Sequence, residues 1–369
     1  MITRNDIGVG RYIRLLALLG TTAIGLTPGC SVLGPQVIRN GRLTYNEAIA
    51  RTDAQQLLLN ILRTRYAEPT TTLSVASITA QAKIHTEGGI NLGFGPKDSY
   101  AGSLVPFGGG VYYEDSPTIA YLPVQGEDSI QQLMAPIPLD ITVALVRSQL
   151  YGAQLLRTLV SRINDVRNPD FVPGDAESAD PRFHRLVELL ASLHRDGHLF
   201  WVTRPKAENE FAIVLSGYAR THAAEVDELL RLLSVPHRTG DGEIVLNVAL
   251  AVGDPHTDRI AIMTRSVNDL TLVLAAATEV PEEDERSGRA AAFPPLGMAG
   301  ADLHVRRAAH QPDDASVAVP FKDHWYYIAD TDQPTKRYFH LLRTLWSAML
   351  AEAPGQTPAA PVLTIPVGN

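Results

Sequence analysis

The second half of the fold depends on the stretch QPTKRYFHLLRTLWSAML, residues 333–350, near the end of the chain. Its apolar residues recur at intervals of three and four, which is the period of one face of a helix. Thr331 or Asp332 can cap this helix, and Pro334 suits its first turn. We therefore predict an amphipathic helix that packs on a core through one stripe, formed by Tyr338, Leu341, Leu342, Leu345, Trp346 and Met349.

Short strands precede this helix. The runs 317–321 and 325–330 flank Lys322 and Asp323, as the two strands of a hairpin flank its turn. The aromatic residues Trp325 and Tyr327 then lie on one face of a strand and Tyr326 on the other. Further elements are predicted upstream: helices at 183–193, 223–233 and 266–278, and strands at 199–204, 210–215 and 243–252. Residues 279–316 are acidic, then rich in Pro and Gly, and are predicted to form a long exposed loop.

The first half of the chain shows a different order of predicted elements. Thr44 and Glu47 form a capping box, so we predict a helix from Tyr45 to about Tyr66. Strand patterns follow in 71–85, 111–113 and 118–122, and a helix begins near Ser129. An apolar run then predicts one long helix over 141–163.

The segment from Gly88 to Gly110 is rich in glycine but contains neither GxxxxGK[ST] nor GxGxxG. A phosphate-binding loop is therefore not indicated. We predict hairpin connections that serve as a docking surface, because loops commonly carry contacts. The alternative is that these glycines only permit tight turns.

These patterns predict an α+β fold of helices and short antiparallel hairpins, with a division into two subdomains left open. Residues 168–180 combine Pro, Gly and acidic residues and are predicted to be a linker. The expected organisation is a signal peptide (1–29), a lipidated tether (30–43), an N-terminal α+β region (44–167), the linker, a C-terminal α+β domain (181–352) and a flexible tail (353–369).

The N-terminal pattern predicts a secretion signal. Arg4, Arg11 and Arg14 precede an uncharged stretch from Leu15 to Leu26. As a helix this stretch is about 18 Å long, well short of the ~30 Å hydrocarbon core of a bilayer. A cleavable signal is therefore favoured over a permanent membrane span.

The signal ends in Pro28, Gly29 and Cys30, the single cysteine of the chain. This arrangement resembles the lipobox of bacterial lipoproteins, in which the cysteine is acylated and becomes the new N-terminus. The resemblance implies that Cys30 is the lipidation site and that its acyl groups hold the protein in a membrane. Ser31 stands where Asp would signal retention at the inner membrane, which favours the outer membrane. The alternative is an ordinary secretory signal with a free or buried Cys30.

Composition limits the remaining possibilities. The chain has 369 residues, 45% of them hydrophobic, and a formal net charge of −8. A chain of this size can bury a large core, and its acidic balance argues against nucleic acid as a partner. One cysteine excludes an intramolecular disulfide framework.

Motifs for catalysis or metal binding are weak. His194 and His198 have the spacing of two ligands on one helix face, but Gly197 lies between them and HExxH is absent. The turn 253–258 (GDPHTD) and the acidic run 282–285 (EEDE) read more simply as solvated polar segments. No GxSxG nucleophile motif occurs. We therefore predict no catalytic, cofactor-binding or metal-binding residue.

Three segments of the body, 45–69, 263–281 and 319–342, resemble an uncharacterised group of bacterial envelope lipoproteins. The resemblance implies no activity or site. We expect a lipid-anchored interaction or scaffold protein of the cell envelope, on the periplasmic face of the outer membrane, with an unknown envelope protein as partner. An envelope hydrolase acting on wall or surface polymer is the alternative.

Overall fold

The computed structural model describes residues 33–79, 82–88, 109–115, 118–124, 127–147, 152–168, 180–203, 211–236, 242–250, 259–293, 296 and 300–351. The chain divides into two units, Met1–Asp53 and Ala54–Asn369, and the sites discussed below belong to the second unit. The predicted α+β class is confirmed.

The described residues form nine helices: α1 (Leu33–Arg65), α2 (Glu127–Met134), α3 (Leu139–Val146), α4 (Gly152–Leu159), α5 (Pro181–Arg195), α6 (Ala223–Leu232), α7 (Val267–Ala276), α8 (Glu282–Arg286) and α9 (Gln333–Ala351). The strands are β1 (Thr72–Thr79), β2 (Ala82–Gly88), β3 (Gly109–Asp115), β4 (Thr118–Val124), β5 (Val160–Ile163), β6 (Val166–Arg167), β7 (Leu199–Thr203), β8 (Phe211–Leu215), β9 (Ile244–Leu250), β10 (Arg259–Thr264), β11 (Arg306–Ala308), β12 (Ala315–Phe321) and β13 (His324–Ala329).

The larger sheet has six strands in the order β6-β5-β10-β9-β8-β7, of which only β9 and β10 run parallel. On β7, β9 and β10, buried residues alternate with more exposed ones. On β7, Leu199 and Trp201 are buried, whereas Phe200 and Val202 are exposed. The buried face packs on α3, α4, α5 and α6 in one apolar cluster. The sheet is thus covered by helices on one side.

A second apolar cluster surrounds the three-stranded sheet β11-β13-β12. It combines residues of α1, α7 and α9 with Tyr326 and Ile328 of β13. The predicted stripe of the last helix faces this cluster: Tyr338, Leu342, Leu345 and Met349 are buried, and Leu341 and Trp346 are partly buried at its edge. Asp332 accepts a hydrogen bond from the backbone N–H of Thr335 in the first turn, as a cap does.

The hairpin before α9 is confirmed, with its turn at Lys322 and Asp323. Lys322 has a φ of 51°, the left-handed conformation that such a turn requires. The helix predicted at 183–193 is α5, which Asp180 caps through its side chain. Gly197, at a φ of 77°, follows its end.

The single helix predicted over 141–163 is wrong. The chain forms α3 and α4 instead, and residues 160–163 are strand β5. Strand pairing explains this difference, because Ile163 pairs with Ile262 on β10, a strand that the sequence patterns did not reveal. An apolar run of this length fits a helix or a buried strand equally well.

The long exposed loop predicted at 279–316 is also wrong. This segment contains α8 and β11, and it buries Ala290, Leu303 and Val305. Backbone hydrogen bonds join Val305 to Ala277 and to Glu279, so the segment is fixed beside the end of α7.

Helix α1 begins at Leu33, so Thr44 lies within the helix and does not cap it as predicted. The helix therefore runs through most of the predicted tether. Signal residues 1–29 and tail residues 353–369 lie outside the described part of the chain, as do residues 169–179 of the predicted linker. Strands on both sides of that linker share one sheet, so the sheet does not divide there.

Candidate functional site

Strands β1 to β4 form two strand pairs, which together are called the ribbon. Strand β1 pairs with β4 and β2 pairs with β3, both antiparallel. The register is the same on both sides of the break, since Thr79 pairs with Thr118 and Ala82 with Asp115. The last described pair is Gly88 and Gly109. The Gly-rich connection 89–108 lies outside the described residues, and it joins the two strands beyond that pair.

The base of the ribbon is attached to α1. The side-chain amide of Gln56 donates to the Leu73 carbonyl oxygen at 3.0 Å and accepts from its N–H at 2.7 Å. One turn later, Asn60 Nδ2 donates to Thr72 Oγ1 at 3.0 Å. Gln56 therefore takes the place of a neighbouring strand at this point of β1, because it satisfies both backbone groups of one residue.

The ribbon base exposes apolar side chains. Leu73 is 48% exposed, Ile119 39% and Tyr121 56%. Val75 pairs with Tyr121, and Leu73 with Pro123, so these residues share one face of the ribbon. We call Leu73, Val75, Ile119, Tyr121 and Pro123 the ribbon face. Large apolar residues grouped on a surface mark interaction sites more often than single ones do.

A polar cluster surrounds the C-terminal end of α1. The Tyr66 hydroxyl donates to Asp284 Oδ2 at 2.7 Å and lies 3.3 Å from the Tyr326 hydroxyl. Arg289 Nε donates to the other oxygen of Asp284 at 2.7 Å. Lys322 Nζ pairs with Glu68 at 2.8 Å and lies 4.7 Å from the centre of the Tyr66 ring. The cluster thus joins α1, α8 and the β12–β13 turn.

Burial and pairing shift the pKa values in this cluster. Burial raises the pKa of the Tyr66 hydroxyl, and its hydrogen bonds with Tyr326 and Asp284 raise it further. The hydrogen bonds from Tyr66 and Arg289 lower the pKa of Asp284. Tyr66 therefore stays protonated and Asp284 ionised, which is the combination that a fixed structural contact needs.

Arg65 lies beside this cluster and is almost fully buried. Its Nη2 forms an ion pair with Glu285, and its guanidinium stacks 4.8 Å from the centre of the Phe293 ring. Burial lowers the pKa of Arg65, against the opposing effect of Glu285. Because Glu285 is part of the acidic run 282–285, that run is helix α8 with specific partners and not only a solvated segment.

Each histidine of the pair His194 and His198 directs Nδ1 to a backbone carbonyl oxygen. His194 Nδ1 lies 2.9 Å from the Leu199 carbonyl oxygen, and His198 Nδ1 lies 3.2 Å from that of Ser216. Within the described ranges, no three His, Cys, Asp or Glu residues are grouped as metal ligands would be. The turn 253–258 lies outside those ranges. Tyr326 faces the core and Trp325 and Tyr327 the other side, as the strand pattern predicts.

A cleft of about 660 Å³ lies between α3, α4 and α9. Leu145 and Leu155 form one wall, and Tyr338 and Leu341 form the other. Lys336, on the α9 side, already pairs with Asp330. The cleft has the size of a small-molecule site, and its lining is mainly apolar.

Cys30 lies outside the described residues, so the structure does not place it. Of the helices that the structure describes, none has the length and apolar character needed to cross a bilayer. Comparisons of the chain with known protein families, with curated proteins and with solved structures find no match.

Proposed function

We propose that this chain is a lipid-anchored interaction protein of the cell envelope. Cys30 carries the acyl groups, and the folded body works on the periplasmic face of the outer membrane. The signal-like N-terminus, the position of Cys30 directly after it and the resemblance to bacterial lipoproteins support this anchoring. The partner is an envelope protein that packs on the ribbon face.

The observation that carries the interaction role is the ribbon face itself. A two-stranded ribbon is only marginally stable in water and gains stability from a third strand or a packed apolar surface. Among the described residues, β4 pairs only with β1, so its outer edge has backbone groups available for a further strand. Leu73, Ile119 and Tyr121 offer apolar contacts to the same partner.

A partner of matching chemistry presents an extended strand with apolar residues on alternate positions. The strand adds to the edge of β4 through its backbone and covers the ribbon face with its side chains, as in known cases of β-strand addition. The net charge of −8 becomes −10 without residues 1–29, which contain three Arg and one Asp, so charge complementarity favours a basic partner.

Photo-crosslinking in living cells tests this role. A photoreactive phenylalanine analogue replaces Tyr121 in the full chain, and in a matched control it replaces Phe200, an exposed aromatic residue on the larger sheet. We expect a discrete crosslinked protein with the analogue at 121, lost when Leu73 and Ile119 are changed to Ser. Equal crosslinking from 121 and 200, or none from 121, would contradict the proposal.

A further inference from the structure

The cleft of about 660 Å³ between α3, α4 and α9 presents apolar side chains from both of its walls. Leu145 and Leu155 line one wall, and Tyr338 and Leu341 line the other. The Tyr338 hydroxyl donates to the Leu270 carbonyl oxygen at 3.1 Å, so this side chain offers the cleft its ring. An apolar ligand that enters such a cleft removes this surface from water, which is favourable.

The α9 side of the cleft is basic. Its lining includes Lys336 and Arg337, against one carboxylate, that of Asp302. The chain as a whole carries a net charge of −8, so this lining has the opposite sign to the rest of the protein. Arg337 is exposed, so it lies at the rim of the cleft. A basic rim beside an apolar wall complements a ligand that joins an anionic head to an apolar chain.

Lys336 has a donor left for such a head. Within the described chain its ammonium donates to the backbone carbonyl oxygen of Asp330 at 2.9 Å and to the carboxylate of the same residue. An ammonium group has three donors, so these two bonds leave one N–H group. The ion pair itself is weak, because the Asp330 side chain is 66% exposed.

Charged and apolar groups are separated along the length of the cleft. On α9 the lining extends from Pro334 to Thr344, about 15 Å along the helix axis. Lys336 and Arg337 lie near the start of this stretch, and Leu341 and Thr344 lie one and two turns further on. An elongated ligand along α9 therefore has cations at one end and apolar contacts at the other.

We propose that this cleft binds a single-chain amphiphile with an anionic head, either a carboxylate or a phosphate. The head binds Arg337 and Lys336, and the apolar chain packs on Leu155, Tyr338 and Leu341. The site is independent of the ribbon face, and its ligand class follows from a basic rim and an apolar wall in the same cleft.

Calorimetric titration of the full chain in detergent tests the assignment, with titration into the same detergent alone as the reference. Octanoate should bind with a Kd of about 1 mM or tighter. Butanoate, which lacks four methylene groups, should bind at least about tenfold more weakly. Octan-1-ol, which lacks the charge, should bind about fivefold more weakly. Octyl phosphate in place of octanoate shows which of the two heads binds more tightly.

One pair of variants tests the apolar part of the cleft. Thr344→Trp places an indole in the cleft at an exposed position and should weaken octanoate and octan-1-ol about tenfold. Ser347→Trp is the matched control, because Ser347 is also exposed on α9 but does not line the cleft. It should bind both probes as the unmodified chain does.

A second pair tests the basic rim. Arg337→Gln should weaken octanoate about fivefold and leave octan-1-ol unchanged. Arg343→Gln, on the same helix but outside the cleft lining, should change neither. Absence of saturable binding of octanoate and of octyl phosphate up to about 10 mM would overturn the proposal. Equal affinity for octan-1-ol and both anions, or equal effects of Thr344→Trp and Ser347→Trp, would also overturn it.

Discussion

The Tyr66 hydroxyl donates a 2.7 Å hydrogen bond to Asp284 across 218 residues of sequence. This contact joins the C-terminal end of α1 to α8, and Arg289 holds the same carboxylate from the other side. Asp284 is therefore one of the residues that attach the segment 279–316, together with the Arg65–Glu285 ion pair and the backbone hydrogen bonds of Val305.

Because of Asp284, the free energy of unfolding should depend on pH in the acidic range. Its pKa is lower in the folded chain than in the unfolded chain, because Tyr66 and Arg289 stabilise the carboxylate. Its contribution is therefore present above the unfolded pKa of about 3.9 and lost as the pH falls through the lower folded value. Urea unfolding from pH 7 to 3 should show this loss.

Asp284→Asn should be less stable than the unmodified chain at neutral pH, and the difference between the two should narrow below about pH 4. Asp302→Asn removes an exposed carboxylate outside this network and serves as the control. If the difference in free energy of unfolding between Asp284→Asn and the unmodified chain is constant over the pH range, Tyr66 and Arg289 do not stabilise the Asp284 carboxylate.

Neighbouring leucines on α9 should differ in their effect on stability. Leu342 is fully buried in the second apolar cluster, whereas Leu341 is partly buried and lines the open cleft. Leu342→Ala leaves a cavity and should lower the free energy of unfolding by about 2–5 kcal/mol. Leu341→Ala should cost clearly less. If both variants lose the same free energy of unfolding in urea, the assignment of the buried face of α9 is wrong.

Asn164 should be hard to replace. It has a φ of 50°, its Nδ2 donates to the Leu233 carbonyl oxygen at 2.6 Å, and its Oδ1 accepts from the Ala261 N–H at 2.8 Å. The left-handed conformation suits Asn or Gly, and the side chain satisfies two buried backbone groups.

We expect Asn164→Ala to lower the free energy of unfolding by about 2–4 kcal/mol, because alanine is strained at this φ and two buried backbone groups lose their partner. Asn164→Gly removes the side chain without the strain and should cost less. Thermal or urea unfolding of the two variants measures the difference. A variant order in which Gly is worse than Ala would contradict the role of the backbone conformation.

The sequence correctly predicts the helices and turns that are defined by their local residue pattern alone. Helix α9 has a complete stripe from Tyr338 to Met349, and the hairpin before it has a turn at Lys322 and Asp323. Both agree with the structure because one apolar face and one turn are local properties. Strand β5 lies in a run that predicts a helix, because its strand structure depends on pairing with β10, which follows it by about a hundred residues.

The candidate sites depend on such long-range contacts even more. The polar cluster brings together Tyr66 of α1, Asp284 of α8 and Tyr326 of β13, and nothing in the sequence spacing of these residues indicates their proximity. The ribbon face could be inferred only in part. The patterns at 71–85 and 118–122 predict strands, but they do not predict the pairing register of those strands. Alternating apolar residues and flanking turn residues indicate the strands of the ribbon in the sequence.

Metabolic labelling with an alkyne fatty acid tests whether Cys30 anchors the protein to a membrane. The full chain should incorporate the label, Cys30→Ser should not, and Ser31→Ala should retain it as the matched control. The unlabelled Cys30→Ser protein should also keep its signal peptide. Equal label in the unmodified chain and Cys30→Ser, or no label in the unmodified chain, would contradict anchoring through Cys30.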